Sequence, residues 1–162
     1  MSDQLYLGEF DHSVDSQRRV AIPRTWRSTS EERTRLVILP GRDKTLLAVS
    51  PEKAKEMLKK LTAGSFANRN VSKALAMIGS YAVDCTCDKQ GRIALSRKLM
   101  DYAGINEHVV FVGSFDSIQI WSKELWDQQQ FDVDDILDVI QDLQEQPSDV
   151  GNALGNLIDG LK

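Results

Sequence analysis

The sequence has few of the residues on which membrane insertion, disulfide bonding and metal binding depend. Its 162 residues include two cysteines and two histidines, and no apolar run approaches the roughly 20 residues of a membrane span. The first ten residues, MSDQLYLGEF, have neither the basic nor the apolar segment of a secretory signal. We therefore expect a cytoplasmic protein that does not act in a membrane.

The two cysteines, Cys85 and Cys87, are poorly placed for a disulfide. In a strand, residues two apart point to the same face, which does not suit a bridge between them. A zinc site would need further ligands nearby, whereas His12 and His108 lie far away in the sequence. We interpret both cysteines as small side chains under a sheet, and we predict no metal and no cofactor.

Motifs of enzyme active sites are also missing. The sequence contains no phosphate-binding glycine loop, no His-Glu-x-x-His pair and no nucleophile elbow. We therefore predict that the chain is not an enzyme and has no small-molecule substrate.

The excess of acidic residues is confined to the C-terminal end. The net charge is −4, but residues 131–162 hold eight acidic residues and one basic residue, while residues 1–130 hold 16 acidic and 19 basic residues. Residues 17–27 and 89–98 each contain four basic residues and no acidic one. Electrostatic attraction is screened within about 10 Å at 0.1 M salt, so these local clusters are compatible with DNA binding despite the overall charge.

The two basic clusters belong to an internal repeat. Residues 15–22 (DSQRRVAI) align with residues 88–95 (DKQGRIAL) at an offset of 73, and residues 36–52 align with residues 108–124 at an offset of 72. The identities are few, but they fall in register with the apolar pattern. The sequence therefore indicates two copies of one module that differ by one residue in a loop.

Both copies are predicted to contain the same elements. A strand (6–14 or 81–87) leads into a turn, and the next strand alternates large apolar residues with alanine, as a half-buried strand does. A short helical turn, a second hairpin and the start of a helix follow. In the first copy, Ser50 and Pro51 are typical of the N-cap and the first position of that helix.

The remaining segments are predicted to be helical. Apolar residues at helical spacing indicate a helix over 68–80 and another over 133–143. A module of about 50 residues and four strands cannot easily close a core alone, so we expect the copies to pack as a pseudo-symmetric pair. The predicted domains are a first module (5–62), a linking helix (63–80), a second module (81–130) and an acidic amphipathic helical tail (131–162).

This order of elements, with an Asp-x-x-x-Arg turn in each copy, resembles the MraZ family, and the module is similar to the AbrB/SpoVT DNA-binding proteins. Residues 83–99 (VDCTCDKQGRIALSRKL) carry the family pattern closely. The first copy matches it at Asp15, Arg19 and Pro23, and departs from it at Arg18, where the family usually has glycine. The resemblance covers about residues 5–130 and excludes the acidic tail.

The resemblance implies both a fold and a function. The implied fold is α+β, with tandem pseudo-symmetric swapped-hairpin (AbrB-like) β-barrel modules and flanking helices. The implied function is a transcriptional regulator that binds short repeated operator boxes, typically ahead of cell-division and cell-wall genes. The resemblance also implies a ring-like homo-oligomer that binds double-stranded DNA at the nucleoid. It places Arg19 at the family's DNA-binding arginine.

Arginine in a tight turn suits DNA for physical reasons. A two-stranded ribbon fits the major groove, and a guanidinium can bond guanine O6 and N7 or a phosphate. We expect the main contacts from Arg18 and Arg19, with Gln17 and Arg24 at the groove edge. Lys89 and Arg92 are the candidates in the second copy, and Asp15, Asp88 and Gly91 are expected to shape the turns.

Several alternatives remain at this point. Each aspartate could pair with the arginine four residues on, so that the motif only holds the hairpin. Arg18, which is expected to have no local structural use, favours DNA binding. At a position with positive φ, glycine costs little and arginine about 1 kcal/mol, so either the first turn has another shape or its strain is tolerated. Whether the second copy contacts DNA is open.

Two further alternatives concern function. The chain could be a protein-interaction module of the same fold that no longer binds DNA. The acidic tail could be a solvated helix docked on the protein, or a flap that mimics DNA and competes for the arginine turns.

Overall fold

The structure is a computed structural model that describes residues 4–29, 32–63 and 68–145. The chain divides into two compact units, Met1–Trp126 and Asp127–Lys162. No helix in the described ranges is long and apolar enough to cross a membrane. The predicted domain boundaries remain predictions.

The described residues form short strands and helices. The strands are β1 (Glu9–Ser13), β2 (Arg19–Ala21), β3 (Arg35–Pro40), β4 (Leu46–Val49), β5 (Val83–Thr86), β6 (Arg92–Ala94), β7 (His108–Gly113) and β8 (Ile118–Ser122). The helices are α1 (Pro51–Thr62), α2 (Arg69–Tyr81), α3 (Arg97–Ala103), α4 (Lys123–Asp127) and α5 (Val133–Glu145), and 3₁₀ turns occur at Arg24–Trp26 and Arg42–Lys44.

Both sheets combine strands from the two repeats. A six-stranded sheet has the order β1-β7-β8-β4-β3-β5, and β2 pairs with β6 in a separate two-stranded sheet. All these pairings are antiparallel. The first strand of each repeat therefore lies beside the third strand of the other repeat, and β2, β4, β6 and β8 form pairs between the repeats.

This topology changes the predicted first hairpins. The two strands that flank each Asp-x-x-x-Arg turn lie in different sheets. The strands before the turns, β1 and β5, belong to the large sheet, and the strands after them, β2 and β6, form the small one. The predicted α+β class is confirmed. The six-stranded sheet is open, with β1 and β5 at its edges, and the described strands do not form a closed barrel.

The core lies between these sheets and α3. Val20 and Ile93 face each other across β2 and β6, and each is 1% exposed. Beside them, Trp26 packs edge-on against Phe10, with ring centroids 5.1 Å apart. Burial raises the pKa of the Cys85 thiol to about 11. Cys85 and Cys87 are buried free thiols, which agrees with their interpretation as small side chains under a sheet.

Helix starts follow the sequence signals closely. The Ser50 hydroxyl accepts a hydrogen bond from the backbone N–H of Lys53, which caps α1, and Pro51 occupies its first position. Asn68 caps α2 in the same manner, through the N–H of Asn70. The predicted helix over 133–143 is present as α5. The part of the predicted amphipathic tail that follows Glu145 lies outside the described residues.

Candidate nucleic-acid interface

The first turn is closed by Asp15, which accepts hydrogen bonds from the residues that follow it. Its Oδ1 accepts from the backbone N–H groups of Gln17 (2.9 Å) and Arg19 (2.8 Å). Its Oδ2 accepts from Arg19 Nε at 2.8 Å, and its carbonyl oxygen accepts from the N–H of Arg18 at 3.0 Å. The motif therefore specifies a tight turn whose carboxylate also orients an arginine.

The second turn repeats this arrangement. Asp88 Oδ1 accepts from the backbone N–H groups of Gln90 and Arg92, both at 2.9 Å. Asp88 Oδ2 accepts from Arg92 Nε at 2.9 Å, and Gln90 Oε1 accepts from Arg92 Nη2 at 3.2 Å. The aspartate–arginine pairing that the sequence offered as an alternative is thus present in both turns.

These bonds stabilise the ionised carboxylates. The backbone N–H of Arg19 is the largest cause that lowers the pKa of Asp15, and the N–H of Arg92 has the same effect on the pKa of Asp88. Both aspartates are therefore negative at neutral pH. They hold Arg19 and Arg92 in place without using most of their N–H groups, since a guanidinium has five.

The two turns lie at opposite ends of one ribbon. In the β2–β6 pair, Arg19 is opposite Ala94 and Ala21 is opposite Arg92. Because Val20 and Ile93 point into the core, these four residues share the outer face. Arg92 Nη1 lies 3.9 Å from Asp15 Oδ2, so the turns are in contact through their side chains. What the sequence suggested as two loops is a single surface.

Arg18 has a structural role that the sequence did not suggest. Its φ is 61° and that of Gly91 is 77°, so both turns have a left-handed conformation at the same position. The Arg18 carbonyl accepts from the Leu95 N–H (2.8 Å), and Arg18 Nε donates to the Leu95 carbonyl (3.2 Å). The expectation that Arg18 has no local structural use is wrong, and its bond to the other repeat helps to offset the strain.

Arg27 is a residue of this surface that sequence reasoning missed. It follows the 3₁₀ turn Arg24–Trp26, and its Nε donates to the Ile22 carbonyl at 2.7 Å. A Cβ at Gly91 would lie 2.3 Å from Arg27 Cζ, so the guanidinium occupies the space above this glycine. The available signal was that Arg27 ends the first basic cluster and that glycine replaces arginine at position 91.

The remaining predicted residues are exposed. Gln17 lies in the first turn and Lys89 in the second, while Arg24 begins the 3₁₀ turn after β2. Around the ribbon the basic side chains outnumber the carboxylates and leave a positive surface. The basic residues are Arg18, Arg19, Arg27, Lys89 and Arg92, and the acidic ones are Asp15 and Asp88.

Comparison with known proteins identifies the family. Residues 78–136 match a family model described as "MraZ protein, putative antitoxin-like". The chain is 32% identical over 122 residues to the transcriptional regulator MraZ of Carboxydothermus hydrogenoformans, an alignment that covers 75% of this chain and 84% of the relative. It is 33% identical over 138 residues to the transcriptional regulator MraZ of Lachnoclostridium phytofermentans, which covers 83% and 94% respectively.

The fold and the paired turns define an α+β protein with tandem Asp-x-x-x-Arg motifs on one basic ribbon. The chain belongs to the MraZ family. The predicted resemblance is therefore confirmed, and with it the class of transcriptional regulator. These relatives are named as regulators and not as enzymes.

Proposed function

We propose that the chain is a sequence-specific DNA-binding regulator whose β2–β6 ribbon contacts the double helix. The observation that carries this proposal is the placement of both Asp-x-x-x-Arg turns on one ribbon, with Arg19 and Arg92 on its outer face. A two-stranded ribbon has the width that the major groove admits. Ala94 and Ala21, which lie opposite the two arginines, add no bulky side chain that would obstruct the approach of DNA.

The aspartates make the arginines effective DNA ligands. A guanidinium held at its Nε by a carboxylate loses little side-chain freedom on binding, and its Nη groups remain able to bond guanine or phosphate. Arg19 and Asp15 have side chains that are 35% and 34% exposed, so DNA can reach the pair. Arg92 is more engaged, since it bonds Asp88 and Gln90. Arg19 and Arg18 therefore lead the contacts, supported by Gln17, Lys89, Arg24 and Arg92.

The finer fold assignment is part of the proposal. The exchange of strands between repeats supports tandem swapped-hairpin modules, covering 5–62 and 81–130 and joined by a linking helix at 63–80. We also propose a ring-like homo-oligomer, located at the nucleoid in the cytoplasm. Its targets would be repeated operator boxes near cell-division or cell-wall genes.

Repeated boxes follow from the affinity that one chain can supply. A few phosphate contacts give dissociation constants of about 10⁻⁴–10⁻⁶ M at physiological salt. Linked subunits on successive boxes raise the affinity by roughly 10²–10⁴. We therefore predict that affinity rises steeply as boxes are added to a duplex, measured by fluorescence anisotropy. A single box bound as tightly as an array would contradict the linked arrangement.

The proposed function is tested on DNA from directly upstream of the chain's own coding sequence. In a mobility-shift titration, the wild-type chain should bind in a salt-dependent manner, and Arg19→Ala should lose most of the affinity. Arg42→Ala is the matched control, because it also removes an exposed arginine, but from the turn between β3 and β4 and not from the ribbon. If the wild-type chain does not bind this DNA, the chain is better explained as a protein-interaction module of the same fold, and if Arg19→Ala binds like the wild type, Arg19 is not the leading contact.

A further inference from the structure

The two turns of the ribbon differ at one position, and the structure compensates for the difference. Arg18 and Gly91 are equivalent in the repeat, so only the first turn has an arginine of its own at this left-handed position. Their backbones make equivalent bonds: the Arg18 carbonyl accepts from the Leu95 N–H at 2.8 Å and the Gly91 carbonyl from the Ile22 N–H at 2.9 Å. The residues that donate these bonds, Leu95 and Ile22, are also equivalent in the repeat.

The guanidiniums of Arg18 and Arg27 occupy equivalent places. Arg18 Nε donates to the Leu95 carbonyl at 3.2 Å, and Arg27 Nε donates to the Ile22 carbonyl at 2.7 Å. A side chain on Gly91 would begin where the Arg27 guanidinium lies, since its Cβ would be 2.4 Å from Nε and 2.6 Å from Nη1. Arg27 thus fills the space that the missing side chain of residue 91 leaves.

The charge of Arg27 is not neutralised by a carboxylate. Among residues 4–29, 32–63 and 68–145, the ion pairs of the ribbon join Arg19 and Arg92 to Asp15 and Asp88, and none involves Arg27. Its charge acts on its surroundings: burial lowers the pKa of His12, and Arg27 lowers it further. A guanidinium bonded only to a backbone carbonyl keeps its full charge for an anionic ligand.

We propose that Arg27 is a DNA-contacting residue that supplies the second turn with the guanidinium that Arg18 supplies to the first. This inference rests on the proposed function. The ribbon then presents two equivalent pairs, Arg18 with Arg19 and Arg27 with Arg92, and both turns contact the phosphodiester backbone. The shortfall of charge in the second copy is made up by a residue from the first.

Salt-dependent binding measures this role, because each phosphate contact contributes about one to the slope of log affinity against log salt. Arg27→Gln removes the charge while its amide can still donate to the Ile22 carbonyl. On the upstream duplex we expect this variant to lose about tenfold in affinity and about one from the slope per bound chain. Arg27→Lys should keep the slope, and Arg42→Gln should match the wild type.

A rescue variant separates a DNA contact from a packing role. Gly91→Arg combined with Arg27→Ala removes the side chain that obstructs a Cβ at residue 91 and places an arginine where the first turn has one. It should regain the slope and most of the affinity that Arg27→Ala alone loses. In the wild-type protein, the Nε–H resonance of Arg27 should shift when duplex is added, while that of Arg42 should not. This measurement needs no variant to fold.

The outcomes distinguish this inference from the proposed function. Weakened binding by Arg19→Gln, together with wild-type slope and affinity in Arg27→Gln, would overturn the role of Arg27 alone. The role of Arg27 would also be overturned if its Nε–H resonance did not shift on DNA binding, or if the double variant folded but did not regain the salt slope. If the wild-type chain shows no binding that depends on Arg19, the proposed function fails and this inference fails with it.

Discussion

Arg18 shows how one residue can carry strain and compensate for it. It adopts a φ of 61°, which costs a non-glycine residue about 1 kcal/mol, and its side chain bonds the Leu95 carbonyl of the other repeat. The second turn avoids the cost with Gly91 and takes its guanidinium from Arg27. The repeats therefore reach one geometry by two routes.

Replacing Arg18 with glycine should barely change stability. Relief of the φ strain and loss of a hydrogen bond are each about 1 kcal/mol, so the free energy of unfolding should change by less than about 1 kcal/mol. DNA affinity should fall, because a guanidinium is lost. Urea denaturation of Arg18→Gly checks the first expectation and a binding titration the second. Unchanged affinity would remove Arg18 from the interface.

The matched substitution in the second turn should behave differently. Gly91→Ala introduces a Cβ at a φ of 77° and within 2.3 Å of Arg27 Cζ. It should destabilise the protein by about 1–2 kcal/mol in the same urea experiment. A loss as small as that of Arg18→Gly would show that the guanidinium above Gly91 moves aside freely.

The turn aspartates predict a pH dependence. Hydrogen bonds from backbone N–H groups lower the folded-state pKa values of Asp15 and Asp88 below the ordinary 3.8. Their contribution to stability is therefore present at neutral pH and is lost as pH falls through the lowered folded-state values. Carboxyl-carbon NMR titration should give midpoints below 3.8 for both residues. Midpoints at or above that value would mean that the turns are not closed as described.

At the scale of elements, equivalent glycines at the ends of β3 and β7 have unequal surroundings. A Cβ at Gly113 would lie 2.4 Å from the backbone carbon and oxygen of Tyr6, whereas a Cβ at Gly41 would meet the hydroxyl of Thr45 at 2.7 Å. The Thr45 hydroxyl can rotate away at the cost of its hydrogen bond to the Arg42 carbonyl, whereas relief at Gly113 requires a backbone segment to move. The close approach at Gly113 joins the N-terminal segment to the β7–β8 hairpin.

Alanine at these two positions should therefore have unequal effects. We expect Gly113→Ala to cost about 2–3 kcal/mol of unfolding free energy, because backbone must move, and Gly41→Ala about 1 kcal/mol. Thermal unfolding of the two variants side by side gives the comparison. Equal losses would indicate that Tyr6 is not held against Gly113 in solution.

Sequence reasoning succeeded where the determinants are local. Ser50 and Asn68 cap α1 and α2 because a short polar side chain can reach the free N–H groups of the first turn. Asp15 and Asp88 close turns for the same kind of reason. Apolar alternation in β2 and β6 identified the buried face but carries no information on which strand is the partner.

At the scale of the whole molecule, the exchange of strands between repeats is what creates the interface. β2 and β6 come from different copies, and their antiparallel register brings two motifs 73 residues apart onto one face. The positions of Arg27 above Gly91 and of Arg92 beside Asp15 depend on this pairing. The sequence could therefore suggest the individual arginines but not their arrangement.

The exchange also predicts that neither copy folds alone. A chain divided between Ala63 and Asn68 deprives each of the strands β1 to β8 of a strand that it pairs with in the intact protein. Each fragment should lack a cooperative thermal transition by circular dichroism, and mixing the two should restore it. A cooperative transition in either isolated fragment would contradict the shared sheets.

DNA binding by the outer face of the β2–β6 ribbon is the proposal on which the others depend. Its most direct test is the affinity of the wild-type chain and of the Arg19→Ala/Arg92→Ala double variant for the upstream duplex across a range of salt concentrations. We expect a steep salt slope for the wild type, and a loss of at least about two from that slope per bound chain in the double variant, with the fold intact. Equal slopes and affinities for the two proteins would contradict it.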